Sequence, residues 1–261
     1  MINIINFTRN IIMRNSFLCA FYLLISLFNF GTAKATEVQN TKPNFVWLLS
    51  EDNGAEYVKI FNKNGAAMPN IEKLAKHGLI FTHAFSNSPV CSTARTTLAT
   101  GAYGAKIATQ HHRGYKHAIL PESLKPISAL LKDAGYFTSN DVKTDFNFTE
   151  KNPTWSKSAR NASWRDRAEN QPFFHMQTWG TTHESSLHFP LSDIKNKPTQ
   201  HDPKTVSVAP IYPDTELFRY TYARYLDNHQ KVDKQIGEVI QKLEDDGLLE
   251  DTFIFWPFTT P

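Results

Sequence analysis

Short apolar runs that end in polar residues alternate along this chain with helix-like segments, and no other feature constrains its fold as much. "NFVWLLSED" (residues 44–52) is a continuous apolar run closed by two carboxylates, as expected of a strand buried on both faces of a parallel sheet. "LIFTHAFS" (79–86), "YFTSNDVK" (136–143), "PFFHMQTWG" (172–180) and "DTFIFW" (251–256) repeat the pattern. Helices are expected between them. Pro69 opens a short one with Ile71, Leu74 and Ala75 on one face, a second runs from Cys91 to Thr100 and is stopped by Gly101, and a third covers 121–134. The longest spans 215–246, with Val232, Ile236, Val239, Ile240 and Leu243 at helical spacing. The polar, Trp-rich stretch 144–171 reads as an inserted loop region and 197–213 as a surface loop. This is the pattern of an open α/β sheet, whose sites lie beyond the carboxyl ends of the strands. Glu51, Asp52, Cys91, Lys143 and His183 fall at such positions and are expected to converge.

The first 35 residues stand apart. Arg9 and Arg14 precede an apolar run ending at Phe30, and Ala33 and Ala35 form an A-x-A site. Together they read as a secretory signal peptide cleaved after Ala35. The run is shorter than the ~20 residues of a spanning helix. A periplasmic or secreted domain of residues 36–261, with no stable membrane anchor, is therefore expected. Cleavage removes three of the 28 basic residues and none of the 25 acidic ones, so the remaining charge balances and no nucleic-acid partner is expected. It also removes Cys19, leaving Cys91 alone of the two cysteines. An unpaired thiol in an oxidising compartment is a liability unless it is buried or chemically used.

Cys91 begins "CSTARTTLATG", which resembles the sulfatase signature, C-x-P-x-R followed by four residues and Thr-Gly, with Cys91, Arg95, Thr100 and Gly101 in register. The resemblance extends over "KPNFVWLLSEDNG", "PNIEKLAKHGLIFTHAFSNSPVCSTAR", "TQHHRGY", "NDVKTDFNF", "THESS" and "LDNHQKVDKQIGEVIQKLEDDGLLEDTFIF". Within the type I sulfatases it is most like a bacterial branch related to heparan N-sulfatases. It implies an alkaline-phosphatase-like α/β fold, with a mixed, mostly parallel sheet flanked by helices, that hydrolyses sulfate esters or sulfamates on carbohydrates. In that family a formylglycine-generating enzyme converts the cysteine to formylglycine, whose hydrated aldehyde is the nucleophile. Carried over position by position, the resemblance implies Glu51, Asp52 and residue 91 as ligands of a divalent metal such as Ca²⁺. Arg95 would hold the formylglycine hydrate, Lys143 a sulfate oxygen, and His183 would protonate the leaving group. His111, His112 and Arg113 are candidates for binding substrate anions.

Plainer readings stand beside these. An acidic pair at a strand end also makes a solvated turn, Arg95 an ordinary helix-surface arginine, Lys143 an exposed strand-end lysine, and His183 a structural loop histidine. His111 and His112 have no cysteine or acidic partner at zinc-binding spacing. The chain departs from the family at Glu51, usually Asp, at Thr93, usually Pro, and at Lys143-Thr144-Asp145, often Lys-x-His. After Phe255 the family continues into Ser-Asp-Asn-Gly or Asp-His-Gly, which adds two metal ligands, where this chain reads "WPFTTP". A sheet incomplete at its C-terminal side, half a metal site and no activity from this chain alone are expected. Three rivals remain: a phosphoryl-transfer relative, a thiol hydrolase using Cys91 and His183, and a non-catalytic anion-binding or inert chain.

Overall fold

A computed structural model describes residues 42–141, 143–150 and 153–257; the expected signal peptide, with Cys19 and the cleavage site, lies outside the described residues. The strands in chain order are β1 (Asn44–Ser50), β2 (Ala118–Ile119), β3 (Phe137–Asp141), β4 (Phe148–Thr149), β5 (Lys157–Ser158), β6 (Phe173–Trp179) and β7 (Thr252–Phe255). Five form one sheet in the order β5-β3-β6-β1-β7, and every pairing in it is parallel. β2 and β4 pair separately. The helices are α1 (Pro69–Lys76), α2 (Cys91–Thr100), α3 (Ile127–Asp133), α4 (Asp193–Asn196) and α5 (Glu216–Asp245).

Side chains of a strand point alternately to its two faces, and here each face has its own core. Val46 and Leu48 of β1 and Phe173 of β6 join Val232, Ile236, Val239 and Leu243 of α5 in one cluster. Leu49 of β1 with Phe174 and Met176 of β6 forms the other, against Leu98 of α2 and Ile127 and Leu131 of α3. The result is a helix–sheet–helix sandwich in which each fully buried aliphatic contributes roughly 1.5–3 kcal/mol. Thr215 caps α5 by accepting from the Phe218 amide. Gly101, at φ 65°, closes α2 in the left-handed conformation that an L side chain resists.

Three expectations are corrected. Residues 79–86 form no strand; Leu79, Phe81 and Phe85 are 85%, 72% and 87% exposed, because no described strand lies beside them to complete a ladder. The helix expected from 121 begins only at Ile127, since Pro126 has no amide to donate and holds the residue before it out of the helical region. The stretch 144–171 is more than an inserted loop. It supplies β4 and β5, and its Trp155 and Trp164 are buried on opposite faces of the sheet, Trp155 stacked on Phe174 and Trp164 on Phe173. No described helix is long and apolar enough to cross a membrane.

Candidate active site

At the carboxyl end of β1 the chain turns sharply, with Asp52 at φ 48°. This turn is stitched to the end of β6. The Glu51 amide donates to the Trp179 carbonyl at 3.3 Å, the buried Thr182 hydroxyl donates to the Glu51 carbonyl at 2.5 Å, and the Glu184 amide donates to Asp52 Oδ2 at 2.7 Å. His183 is thereby brought to Asp52, with Nε2 3.9 Å from Oδ2. Its Nδ1 accepts from the Ser185 amide, so a neutral ring carries its proton on Nε2. Beneath the turn, Asn53 is fully buried, bonded to Ser50 Oγ at 3.0 Å and 2.7 Å from His229 Nε2 on α5.

Cys91 opens α2 and is 6% exposed. Burial pushes its thiol pKa up, against the pull of the Lys143 charge. A thiolate nucleophile, which the thiol-hydrolase rival requires, is therefore disfavoured. One turn on, Arg95 is 1% exposed, which removes the surface-arginine reading. Its Nε donates to the Thr144 carbonyl at 2.9 Å and its Nη2 to Thr178 Oγ1 at 3.0 Å and to the Lys143 carbonyl. Arg95 thus fixes the backbone from which Lys143 and Asp145 project. Its Nη1 lies 3.9 Å from Glu51 Oε1 and has no hydrogen-bond partner among the described residues.

Lys143 Nζ lies 2.5 Å from Glu51 Oε1 and 3.4 Å from Asp145 Oδ2. Asp145 in turn receives both prongs of Arg113, from Nε and Nη2, each at 3.1 Å. Burial raises the Asp145 pKa, but the Arg113 bonds and the Lys143 charge outweigh it and hold the carboxyl down to about 2. Arg113 Nη2 reaches Cys91 Sγ at 3.7 Å. His112 sits between, with Nε2 3.1 Å from Arg113 Nη1 and Nδ1 3.1 Å from Ser92 Oγ on α2. A guanidinium only donates, so Nε2 accepts and Nδ1 carries the proton. His111 takes part through its carbonyl, which accepts from Asn147 Nδ2; its ring has no polar partner among the described residues.

The residues expected to converge therefore form two linked groups, Glu51–Lys143–Asp145–Arg113–Cys91 with Arg95, and Asp52–His183. The metal expectation fits less well. Glu51 is taken up by Lys143 and Asp52 by the Glu184 amide, and no three His, Cys, Asp or Glu side chains among the described residues are grouped to hold an ion. Formylglycine fits better, because a partnerless buried donor one turn from residue 91 is what an added oxygen there would satisfy. Sequence reasoning did not single out Asn53, Thr178 or His229. The only signal for His229 is a histidine amid the apolar spacing of a long helix.

The family profile described as Sulfatase matches residues 43–161 and 158–256. The chain is 34% identical over 265 residues to an ulvan-active sulfatase of Formosa agariphila, covering 85% of this chain and 44% of that protein. It is 24% identical to human N-sulphoglucosamine sulphohydrolase, covering 82% and 49% respectively. The chain spans about half the length of these curated relatives. The crystal structure of a phosphonate monoester hydrolase of Agrobacterium radiobacter has the same fold, with TM-score 0.60 and 15% identity over 82% of this chain and 62% of that one.

Proposed function

Because this chain belongs to the sulfatase family, we propose that its site serves hydrolysis of sulfate esters or sulfamates on carbohydrates, with residue 91 acting as formylglycine. The observation that carries the reading is the setting of residue 91: a buried helix N-terminus faced by the cations of Lys143, Arg95 and Arg113. Such a setting suits a sulfate anion far better than a neutral substrate.

Formylglycine, when formed, supplies a hydrated aldehyde as nucleophile. The chain's own residues do the rest. Lys143 and Arg113 would bind sulfate oxygens, Arg95 would hold residue 91, and His183 would offer the Nε2 proton to the leaving oxygen. His112 holds Arg113, and His111 is kept as a candidate for binding substrate anions. A divalent metal such as Ca²⁺ belongs to the family reading; Glu51 and Asp52 would be its ligands here, but as placed they do not form its site, and no step is drawn through it. The names of the similar proteins, one active on ulvan and one an N-sulphoglucosamine sulphohydrolase, support a sulfated carbohydrate as substrate. Export to the periplasm or medium, signal cleavage after Ala35 and maturation by a formylglycine-generating enzyme complete the reading.

The non-catalytic anion-binding rival predicts that the chain binds sulfate without turning over a sulfate ester. Peptide mass spectrometry of residue 91, after co-expression with a formylglycine-generating enzyme, tests the proposal. An aldehyde at 91 is expected, and a thiol on every peptide would count against it.

A further inference from the structure

We infer that Asp145 is a positioning residue, which holds the Arg113 guanidinium over residue 91 so that it takes an oxygen of the reacting sulfate. The inference rests on the sulfatase reading and deepens it, since the family often has histidine where this chain has Asp145. Three independent observations point the same way. The Arg113–Asp145 contact is a two-pronged fork, with both bonds at 3.1 Å, the arrangement that fixes a guanidinium in direction as well as in place. Both residues have left-handed backbones, Arg113 at φ 44° and Asp145 at φ 49°, which non-glycine residues adopt at a cost that packing around a site sustains. The side chain of Arg113 is about half exposed, whereas that of Asp145 is 14% exposed, so Asp145 is the enclosed partner and Arg113 is open to solvent.

The donor count supports the same assignment. A guanidinium has five N–H groups. Asp145 takes one from Nε and one from Nη2, and His112 takes one from Nη1. The second Nη2 hydrogen faces Cys91 Sγ at 3.7 Å, a weak contact, and the second Nη1 hydrogen has no partner among the described residues. These two are available to an anion held at residue 91. The arrangement also makes an unusual sign prediction. Asp145 is an anion beside an anion site, so its bare charge weakens sulfate binding; as the holder of Arg113 it strengthens it. The positioning role is the larger effect.

The experiment is titration of the full chain with inorganic sulfate, followed calorimetrically, for wild type, Asp145→Asn, Arg113→Ala, Arg113→Lys and the double variant Arg113→Ala/Asp145→Asn. Asp145→Asn is close to isosteric. Arg113→Lys lies at a half-exposed position and keeps the charge while losing the fork, so one informative variant remains if Asp145→Asn does not fold. Loss of a charge-assisted bond predicts that Arg113→Ala and Arg113→Lys weaken sulfate roughly tenfold or more. Asp145→Asn should weaken it roughly fivefold, and the double variant no further than Arg113→Ala alone. Tighter or unchanged sulfate binding in Asp145→Asn, or full binding in Arg113→Lys, would overturn the positioning role. Wild type that binds no sulfate would instead remove the sulfatase reading beneath it.

Discussion

Arg95 shows how a residue's surroundings decide its role. A guanidinium at 1% exposure persists only if its donors are used, and here two backbone carbonyls and the Thr178 hydroxyl use most of them. The spacing from Cys91 marked the position, but nothing in the sequence separated a buried brace from a surface arginine. Two buried histidines outside the chemistry carry a prediction. Burial drives the pKa of both His175, on β6, and His229, on α5, down to about 4. Each is therefore neutral in the folded chain but takes up a proton near pH 6.5 when unfolded. The unfolded state binds more protons between those values, so stability falls as pH drops from about 6.5 to 4 and levels off below. The loss should be on the order of several kcal/mol for the pair. Urea midpoints at pH 7, 6, 5 and 4.5 should decline, and His175→Asn should flatten the curve. A midpoint constant from pH 7 to 5 would show that the rings are not held neutral.

At the scale of elements, α1 and α5 meet through one carboxylate. Asp233 of α5 accepts from the Asn70 and Ile71 amides at the start of α1, at 3.1 and 3.0 Å, and from Asn70 Nδ2 at 2.8 Å. Pro69, which has no amide, precedes them, so the first turn of α1 is capped from another helix. The approach is close, and a Cβ on Gly237 would stand 2.7 Å from Asn70 Cγ. Helix propensity alone says Gly237→Ala stabilises by about 1 kcal/mol. Displacing Asn70 from Asp233 should outweigh that and leave the variant about 1 kcal/mol less stable. In an Asn70→Ala background the same change should turn stabilising. Chemical denaturation of the four proteins reads this directly, and a stabilising Gly237→Ala in the native background would refute the coupling. Helices such as α1, α2 and α5 were legible because their apolar spacing and caps are local. Residues 79–86 were misread for the opposite reason. An apolar, β-branched or aromatic run becomes a strand only beside another strand, and that partner is not written in the segment itself. The tryptophans of 144–171 misled similarly, since their burial depends on the sheet they cover.

Over the whole molecule, parallel strands carry their carboxyl ends to one edge, and the candidate site residues gather there. Glu51 follows β1, Lys143 follows β3 and His183 follows β6, while α2 presents Cys91 and Arg95. That convergence was legible, because sheet grammar places strand ends together whatever the side chains do. The pairing within it was not. The spacing of "TQHHRGY" and "KTD" gives no hint that Arg113 and Asp145 interlock, since the two loops meet only in the folded chain. The expectation of a mostly parallel α/β sheet holds. The metal carboxylates, expected from the resemblance to act together, are instead divided between Lys143 and the turn after β6. The central claim, that this edge processes sulfate through residue 91, is tested most directly by release of inorganic sulfate from an aryl sulfate. Wild type matured at residue 91 would be measured beside Cys91→Ala and beside the matching aryl phosphate. Sulfate release that Cys91→Ala abolishes, with phosphate release much slower, is the expected result. Equal release by Cys91→Ala, or phosphate release exceeding sulfate release, would contradict it.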